Sequence, residues 1–229
     1  MQRYTGRIAE IQLHLGERNA LIACPVEIVP EPGQYLLAVN DDSLQATPLF
    51  MADFRSQGFL AAPPIPESWR PGDQISLMGP LGHGFSSPQY IQRLALVALG
   101  NTNARLLPLV NHDRLNQPSI TLFSDAPLVG LPPDLEAFPL EDLGDSFNWA
   151  DFFAVDVPRE QLSILGDNFR NFQREPVVLR GQVLVHGCMP CSTLADCGIC
   201  AVRIKRSWKL TCKDGPVFDL AGLLRGIAL

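Results

Sequence analysis

Five of the six cysteines lie within 25 residues of one another. Cys191, Cys197, Cys200 and Cys212 are separated by five, two and eleven residues, and Cys188 precedes them. Three thiolates on one loop followed by a distant fourth hold a plant-type [2Fe–2S] cluster, for which the usual spacing is C-x4-C-x2-C. The spacing here matches with one extra residue. These four cysteines are therefore the candidate metal ligands, and we expect them to bind a [2Fe–2S] cluster.

Three other interpretations of the cysteines stay open. Zinc could be held by the pairs Cys188/Cys191 and Cys197/Cys200, although zinc ribbons usually separate such pairs by more than five residues. A [4Fe–4S] cluster usually takes a C-x2-C-x2-C run, which this chain lacks. The thiols could also be structural and hold no metal. One clustered cysteine is surplus to a [2Fe–2S] site, and Cys188 is the expected spare because it lies outside the loop; it is kept as the alternative ligand.

The elements that must position these cysteines are short, because the chain has 20 prolines and 18 glycines. Alternating apolar and polar residues at 8–15 predict a half-buried strand, and further runs predict strands at 20–25, 35–39 and 74–78. Strands of this length broken by Pro and Gly indicate a small antiparallel barrel or sandwich.

The pattern changes after about residue 90. A continuous apolar run at 94–99 predicts a buried strand, residues 104–110 predict a helix, and 119–124 predict a second strand. Strand, helix and strand in this order are typical of a parallel α/β unit. Residues 148–155 fit either a helix or a strand, and 177–179 and 183–185 predict strands before the cysteine loop.

Composition excludes several classes of protein. The 24 Asp and Glu against 18 Lys and Arg give a net charge of −6, which opposes nucleic-acid binding. No apolar run reaches the roughly 18 residues of a membrane-spanning helix. The first residues do not resemble a signal peptide, so the expected compartment is the cytoplasm.

Several motifs together resemble a known family. Residues 212–218 read Cys-Lys-Asp-Gly-Pro-Val-Phe, 79–85 read Gly-Pro-Leu-Gly-His-Gly-Phe, and 32–35 read Pro-Gly-Gln-Tyr. They resemble the electron-transfer subunit of dihydroorotate dehydrogenase, a member of the ferredoxin reductase superfamily. The resemblance implies an FAD-binding barrel, a nicotinamide-binding α/β domain and a [2Fe–2S] cluster. It also implies that electrons pass to or from a catalytic flavoprotein or other redox subunit in a hetero-oligomer.

The predicted fold class is therefore β plus α/β, in three domains. Residues 1–90 form an antiparallel FAD-binding-like β-barrel, 91–175 a reduced NAD-binding-like α/β domain, and 176–229 a β-rich [2Fe–2S] domain. By the resemblance, the nucleotide-binding positions are matched here by Thr47, Pro48, Gly79, Gly82, Gly100 and Thr102.

The nucleotide motifs depart from the family at informative positions. Thr47 stands where the family has the Arg that meets the flavin phosphates, and Phe50 stands where it has a hydroxyl. The loop that begins at Gly100 keeps one glycine of the phosphate-binding set. The sequence therefore leaves FAD binding open and favours loss of NAD(P)H binding. Arg105, in the same region, is interpreted as a solvated helix residue rather than a phosphate contact.

The sequence shows no catalytic nucleophile, base or substrate pocket. It therefore predicts an accessory electron-transfer subunit, with the cluster loop and the tail at residues 218–224 as candidate docking segments for the partner. One alternative is a cluster-bearing relay or scaffold that has lost FAD and NAD(P)H binding. The other is a zinc-stapled interaction protein.

Overall fold

The computed structural model describes residues 2–14, 16–40, 45–86, 90–112, 118–128, 130–172, 179–191 and 195–227. The strands are β1 (Arg3–His14), β2 (Glu17–Ala23), β3 (Tyr35–Val39), β4 (Thr47–Arg55), β5 (Gly58–Ala61), β6 (Gln74–Leu81), β7 (Arg93–Ala98), β8 (Ser119–Ser124), β9 (Glu136–Pro139), β10 (Phe152–Pro158), β11 (Gly181–His186), β12 (Ala201–Ile204), β13 (Ser207–Leu210) and β14 (Val217–Asp219). The α-helices are α1 (Leu107–His112), α2 (Leu162–Phe172), α3 (Thr211–Asp214) and α4 (Leu220–Ile227), and 3-10 turns span Val26–Ile28, Leu140–Asn148 and Arg159–Gln161. Among these described parts, no helix is long and apolar enough to cross a membrane.

The first six strands close into an antiparallel barrel in the order β1-β2-β5-β4-β3-β6. The alternating side chains seen in the sequence explain its interior, because every second residue of a strand points to the same face. Ile8, Ile22, Leu49, Phe59 and Trp69 meet in this interior and are almost completely buried. The predicted antiparallel barrel is therefore confirmed.

The second layer is a six-stranded sheet in the order β14-β11-β10-β7-β8-β9. Neighbouring strands are parallel except β14, which runs antiparallel to β11. Alternate β7 residues contribute to two different apolar cores, Ala95 and Val97 to one and Leu94 and Leu96 to the other. The apolar run of β7 is continuous because both faces of the strand are covered. The predicted parallel pairing of β7 with β8 is confirmed.

The C-terminal residues contribute to the same sheet. β11 and β14 extend it, while β12 and β13 form a separate two-stranded hairpin. The proposed boundary between residues 175 and 176, and most of the predicted strand at 177–179, lie outside the described residues. The division into three domains stays a prediction.

The apolar tail at 218–224 is not an exposed docking segment, and that expectation is wrong. Phe218 lies on β14, and Leu220 and Leu223 lie on α4; all three belong to the sheet's main apolar core. Their hydrophobicity reflects burial within the chain rather than a surface for a partner.

Candidate functional site

Two of the predicted metal ligands are side by side. Cys200 directly precedes β12 and Cys212 lies on α3, and their Sγ atoms are 3.3 Å apart. Both side chains are buried, and neither forms a disulfide. When two cysteine thiolates bind one tetrahedral metal ion through bonds of about 2.3 Å, their sulfur atoms lie about 3.8 Å apart. The pair is therefore close to the geometry that a shared metal requires.

Backbone contacts hold this thiol pair in place. Thr211 donates to the Cys200 carbonyl from both its backbone N–H and its hydroxyl, each at 3.1 Å. Tyr35, on barrel strand β3, donates from its hydroxyl to the Cys212 carbonyl at 3.0 Å. The pair thus lies where the barrel meets the C-terminal hairpin, and both segments fix its position.

The thiols also interact electrostatically. Burial raises the pKa of Cys212 to about 12, and the neighbouring Cys200 and Cys191 thiols contribute to the increase. Burial and the same three thiols raise the pKa of Tyr35 above its ordinary value. The structure therefore brings Cys191, Cys200 and Cys212 into one neighbourhood.

The other two clustered cysteines lie differently. Cys197 is exposed, in the loop before Cys200. Cys188 accepts a hydrogen bond from Gln45 Nε2 at 3.0 Å and lines a cavity instead. Within the described ranges, no three His, Cys, Asp or Glu side chains are arranged as ligands of one metal ion. Residues 192–194, inside the predicted ligand loop, lie outside those ranges.

The cavity beside Cys188 has a volume of about 500 Å³. Thr47 and Pro48, two of the predicted flavin positions, line it together with Phe50. The Phe50 ring packs between Tyr35 and His186, with ring centroids 5.6 and 6.4 Å away. The aromatic ring that replaces the family's hydroxyl is therefore a packed part of the wall.

Arg105, which also lines this cavity, forms a buried ion pair. Arg105 is 3% exposed and Asp156 is completely buried, and Arg105 Nε lies 2.9 Å from Asp156 Oδ2. Arg105 Nη2 lies 2.8 Å from His186 Nε2, and Nη1 donates to the Pro63 carbonyl of the barrel. The interpretation of Arg105 as a solvated helix residue is wrong, because Asp156 draws its guanidinium into the interior.

Burial changes the pKa values of Asp156 and His186. Complete burial raises the pKa of Asp156 to about 6, although the guanidinium of Arg105 opposes the increase. Burial and the Arg105 charge hold the pKa of His186 well below its ordinary value. His186 is therefore neutral, and its Nε2 accepts the hydrogen that Arg105 donates.

A second cleft, of about 940 Å³, lies between the barrel and the sheet. The predicted nicotinamide residues Gly100 and Thr102 line it, after the end of β7. Gly100 has a φ of +94°, and the Thr102 hydroxyl accepts the Ala104 N–H at 3.1 Å. The loop thus turns tightly at the position expected for a phosphate loop.

The charges lining this cleft do not suit a pyrophosphate. Glu17, Asp53 and Asp125 line it, and no Lys or Arg does so among the residues that the structure describes. Arg105 is the one cation at the smaller cavity within the same described set, and Asp156, His186 and Pro63 already occupy its donors. Among the described residues, the two linings therefore offer no unpaired cationic side chain to the phosphates of FAD or NAD(P)H.

The two remaining predicted flavin positions are packed against protein. Gly82 has a φ of +77°, and a Cβ there would lie 2.4 Å from Pro216 Cδ. A Cβ on Gly79 would lie 2.8 Å from Leu36 Cδ2. Both glycines allow close packing, and a part in cofactor binding stays a prediction for each.

Sequence reasoning missed Asp156, His186 and the hydroxyl of Tyr35. A usable signal was present, because Asp156 interrupts an apolar strand and His186 ends the next one. The carboxyl ends of parallel strands meet at one edge of a sheet, where polar residues of this kind gather. The undecided assignment of residues 148–155 concealed this alignment.

No family model and no curated protein matches the chain. A solved NADH-dependent reduced ferredoxin–NADP oxidoreductase, described in connection with flavin-based electron bifurcation, superposes with a TM-score of 0.73 at 18% identity, over 97% of this chain and 92% of that one. The chain has a ferredoxin reductase-like fold. The cytochrome P450 reductase GcoB of Amycolatopsis superposes with a TM-score of 0.57 at 15% identity, over 81% of this chain and 70% of that one. The ferredoxin-NADP+ reductase of Plasmodium falciparum superposes with a TM-score of 0.58 at 11% identity, over 80% of this chain and 96% of that one.

Proposed function

We propose that the chain transfers single electrons through a [2Fe–2S] cluster, to or from a partner oxidoreductase subunit. The proposed ligands are Cys191, Cys197, Cys200 and Cys212. The observation that carries this proposal is the buried pair of Cys200 and Cys212 thiols at 3.3 Å, because the ligand spacing selects the same two residues. The interaction of Cys191 with that pair supports Cys191 over Cys188 as a ligand.

Each neighbouring residue would have a defined task at this site. A bound [2Fe–2S] cluster takes up and releases one electron at a time, so the protein needs no nucleophile or base. Thr211 and Tyr35 would hold the ligand backbones rigid through their hydrogen bonds to the Cys200 and Cys212 carbonyls. Tyr35 and Phe50, both buried, would keep water from the inner side of the cluster and so influence its reduction potential.

The proposed partner is a catalytic flavoprotein or another redox subunit, as in the dihydroorotate dehydrogenase family. The motif at 212–218 supports that relationship, and the similar fold, shared over nearly the whole chain with a ferredoxin–NADP oxidoreductase, supports an electron-transfer role.

A relay that has lost FAD and NAD(P)H binding is the second candidate, and the nucleotide clefts favour it. The larger cleft presents Glu17 and Asp125 to a ligand, as well as Asp53, which is paired with Arg55, and carboxylates repel a pyrophosphate. A reductase that binds both nucleotides would need cations that the described lining does not provide. In the relay, the barrel and sheet would serve to hold the cluster in place.

Cysteine variants test the ligand assignment. Anaerobically purified C200S and C212S are each expected to lose the visible charge-transfer bands and most of the iron, as are C191S and C197S. C188S is the matched control, because Cys188 lies on the same segment but faces the cavity. If C188S loses the cluster and C191S keeps it, the assignment is wrong.

Flavin content separates the two versions of the function. Acid precipitation of the native protein releases any bound FAD, which is then measured by fluorescence. The relay predicts a cluster spectrum with less than one tenth of an equivalent of flavin. One equivalent of FAD, with cluster reduction on addition of NADH, would show a complete reductase instead.

A further inference from the structure

The β12–β13 hairpin is connected directly to the thiol pair. Cys200 immediately precedes β12, and Thr211 and Cys212 follow β13. The strands pair from Ala201 with Leu210 to Ile204 with Ser207. At a rise of about 3.3 Å per residue, every residue of the hairpin lies within roughly 15 Å of its base along the strands. A protein bound to this hairpin would therefore be close to the thiol pair.

The two strands of the hairpin have different surroundings. β12 is anchored, because Val202 is 2% exposed and Ala201 accepts a hydrogen bond from Arg159 Nε at 3.1 Å. β13 carries the exposed residues, and Trp208 is 70% exposed. Within the described residues, β13 pairs with β12 and with no other strand. Tryptophan is enriched at the centres of protein interfaces, where its large surface becomes buried.

The residues around the hairpin carry a net positive charge, whereas the chain as a whole is negatively charged. Residues 195–214 contain five Lys or Arg and two Asp, whereas the whole chain has a net charge of −6. Asp196 pairs with Lys213 and Asp214 pairs with Lys209. Arg203, Lys205 and Arg206 have no ion-pair partner in the described part of the chain. The hairpin tip is therefore a local positive field beside the proposed cluster.

We propose that this hairpin, with Trp208 on β13 and Lys205 and Arg206 at its tip, is the docking surface for an acidic electron-transfer protein. The inference rests on the proposed function, because the hairpin joins two of the proposed ligands. Positive side chains would attract and orient an acidic partner, and Trp208 would supply the apolar contact at the centre. A basic partner would be repelled by the same residues.

The test uses a plant-type ferredoxin as the acidic probe and cytochrome c as the basic one. Dissociation constants for oxidised ferredoxin are measured by calorimetry, and electron exchange with reduced ferredoxin is followed by stopped flow at low and high salt. W208A should raise the dissociation constant at least tenfold. K205E/R206E should lower the rate constant for electron exchange with ferredoxin about tenfold at low salt, with little effect at high salt. The same double variant should exchange electrons with cytochrome c at the native rate or faster.

Matched controls lie on the barrel. Phe54 is 53% exposed and Arg7 is exposed on β1, so F54A and R7E remove an exposed aromatic and reverse an exposed charge away from the hairpin. Both should bind ferredoxin like the native chain.

The outcomes separate this inference from the proposed function. Binding that depends on the hairpin but leads to no electron transfer would support the docking surface and contradict the proposed function. No binding by the native chain, or hairpin variants that behave like F54A and R7E, would overturn the docking surface.

Discussion

Replacing Arg105 with Met tests whether the buried ion pair holds the barrel and sheet together beside the site. The substitution keeps much of the side-chain volume and removes the guanidinium that contacts Asp156, His186 and the Pro63 carbonyl. It leaves a completely buried carboxyl group without its cation. The free energy of unfolding should therefore fall.

The expected size follows from the burial of both partners. Removing one member of a buried ion pair costs about 3–5 kcal/mol, because the remaining charge stays desolvated. For a chain of this size each kcal/mol lowers Tm by about 2–4 °C, so R105M should melt roughly 10 °C below the native protein. R105M/D156L removes both charges and should recover most of that loss.

Thermal unfolding followed by circular dichroism measures the effect at matched cofactor content. R170M is the control, because Arg170 pairs with Asp167 at 2.7 Å but both side chains are more than half exposed. An exposed pair contributes about 0–1 kcal/mol, so R170M should shift Tm by only a few degrees. If R105M and R170M melt together, the buried pair does not stabilise the junction as argued.

Three further predictions concern packing and pH. G82A should lower the free energy of unfolding by about 2–4 kcal/mol, because the added Cβ would collide with Pro216. G72A is the control, since Gly72 also has a positive φ but lies in open space, and it should cost only about 1 kcal/mol. Equal losses of the two variants in urea unfolding would contradict the packing argument. L223A should lower the free energy of unfolding by about 2–5 kcal/mol, because Leu223 is fully buried; an unchanged value would show that the tail lies outside the core. Raising the pH from 4 to 6 should cost the native chain about 2 kcal/mol that D156N does not lose, because a carboxyl pKa of about 6 favours the protonated folded form below that pH; identical profiles for the two proteins would refute the assignment.

Much of the fold could be predicted because the relevant signals are local. Alternation at residues 8–15 marks a barrel strand, and the apolar run at 94–99 marks a sheet strand buried on both faces. The cysteine spacing singled out Cys200 and Cys212 as a pair, and the structure places them side by side because residues twelve apart on the two sides of a hairpin return to the same end; their role as metal ligands stays a prediction.

The missed parts of the site depend on contacts between distant segments. Arg105 and Asp156 are 51 residues apart, and only the parallel pairing of β7 with β10 brings them together. Tyr35 reaches the Cys212 carbonyl across 177 residues. The apolar tail at 218–224 was misread because hydrophobicity alone does not distinguish a docking surface from the inner face of a final helix.

Metal and sulfide analysis of the native protein purified without oxygen, with an electron paramagnetic resonance spectrum after dithionite reduction, tests the proposed cluster most directly. We expect close to two iron atoms and two acid-labile sulfides per chain, with the one-electron signal of a reduced [2Fe–2S] cluster. Stoichiometric zinc without sulfide, or a chain that binds no metal while Cys200 and Cys212 remain reduced, would contradict it.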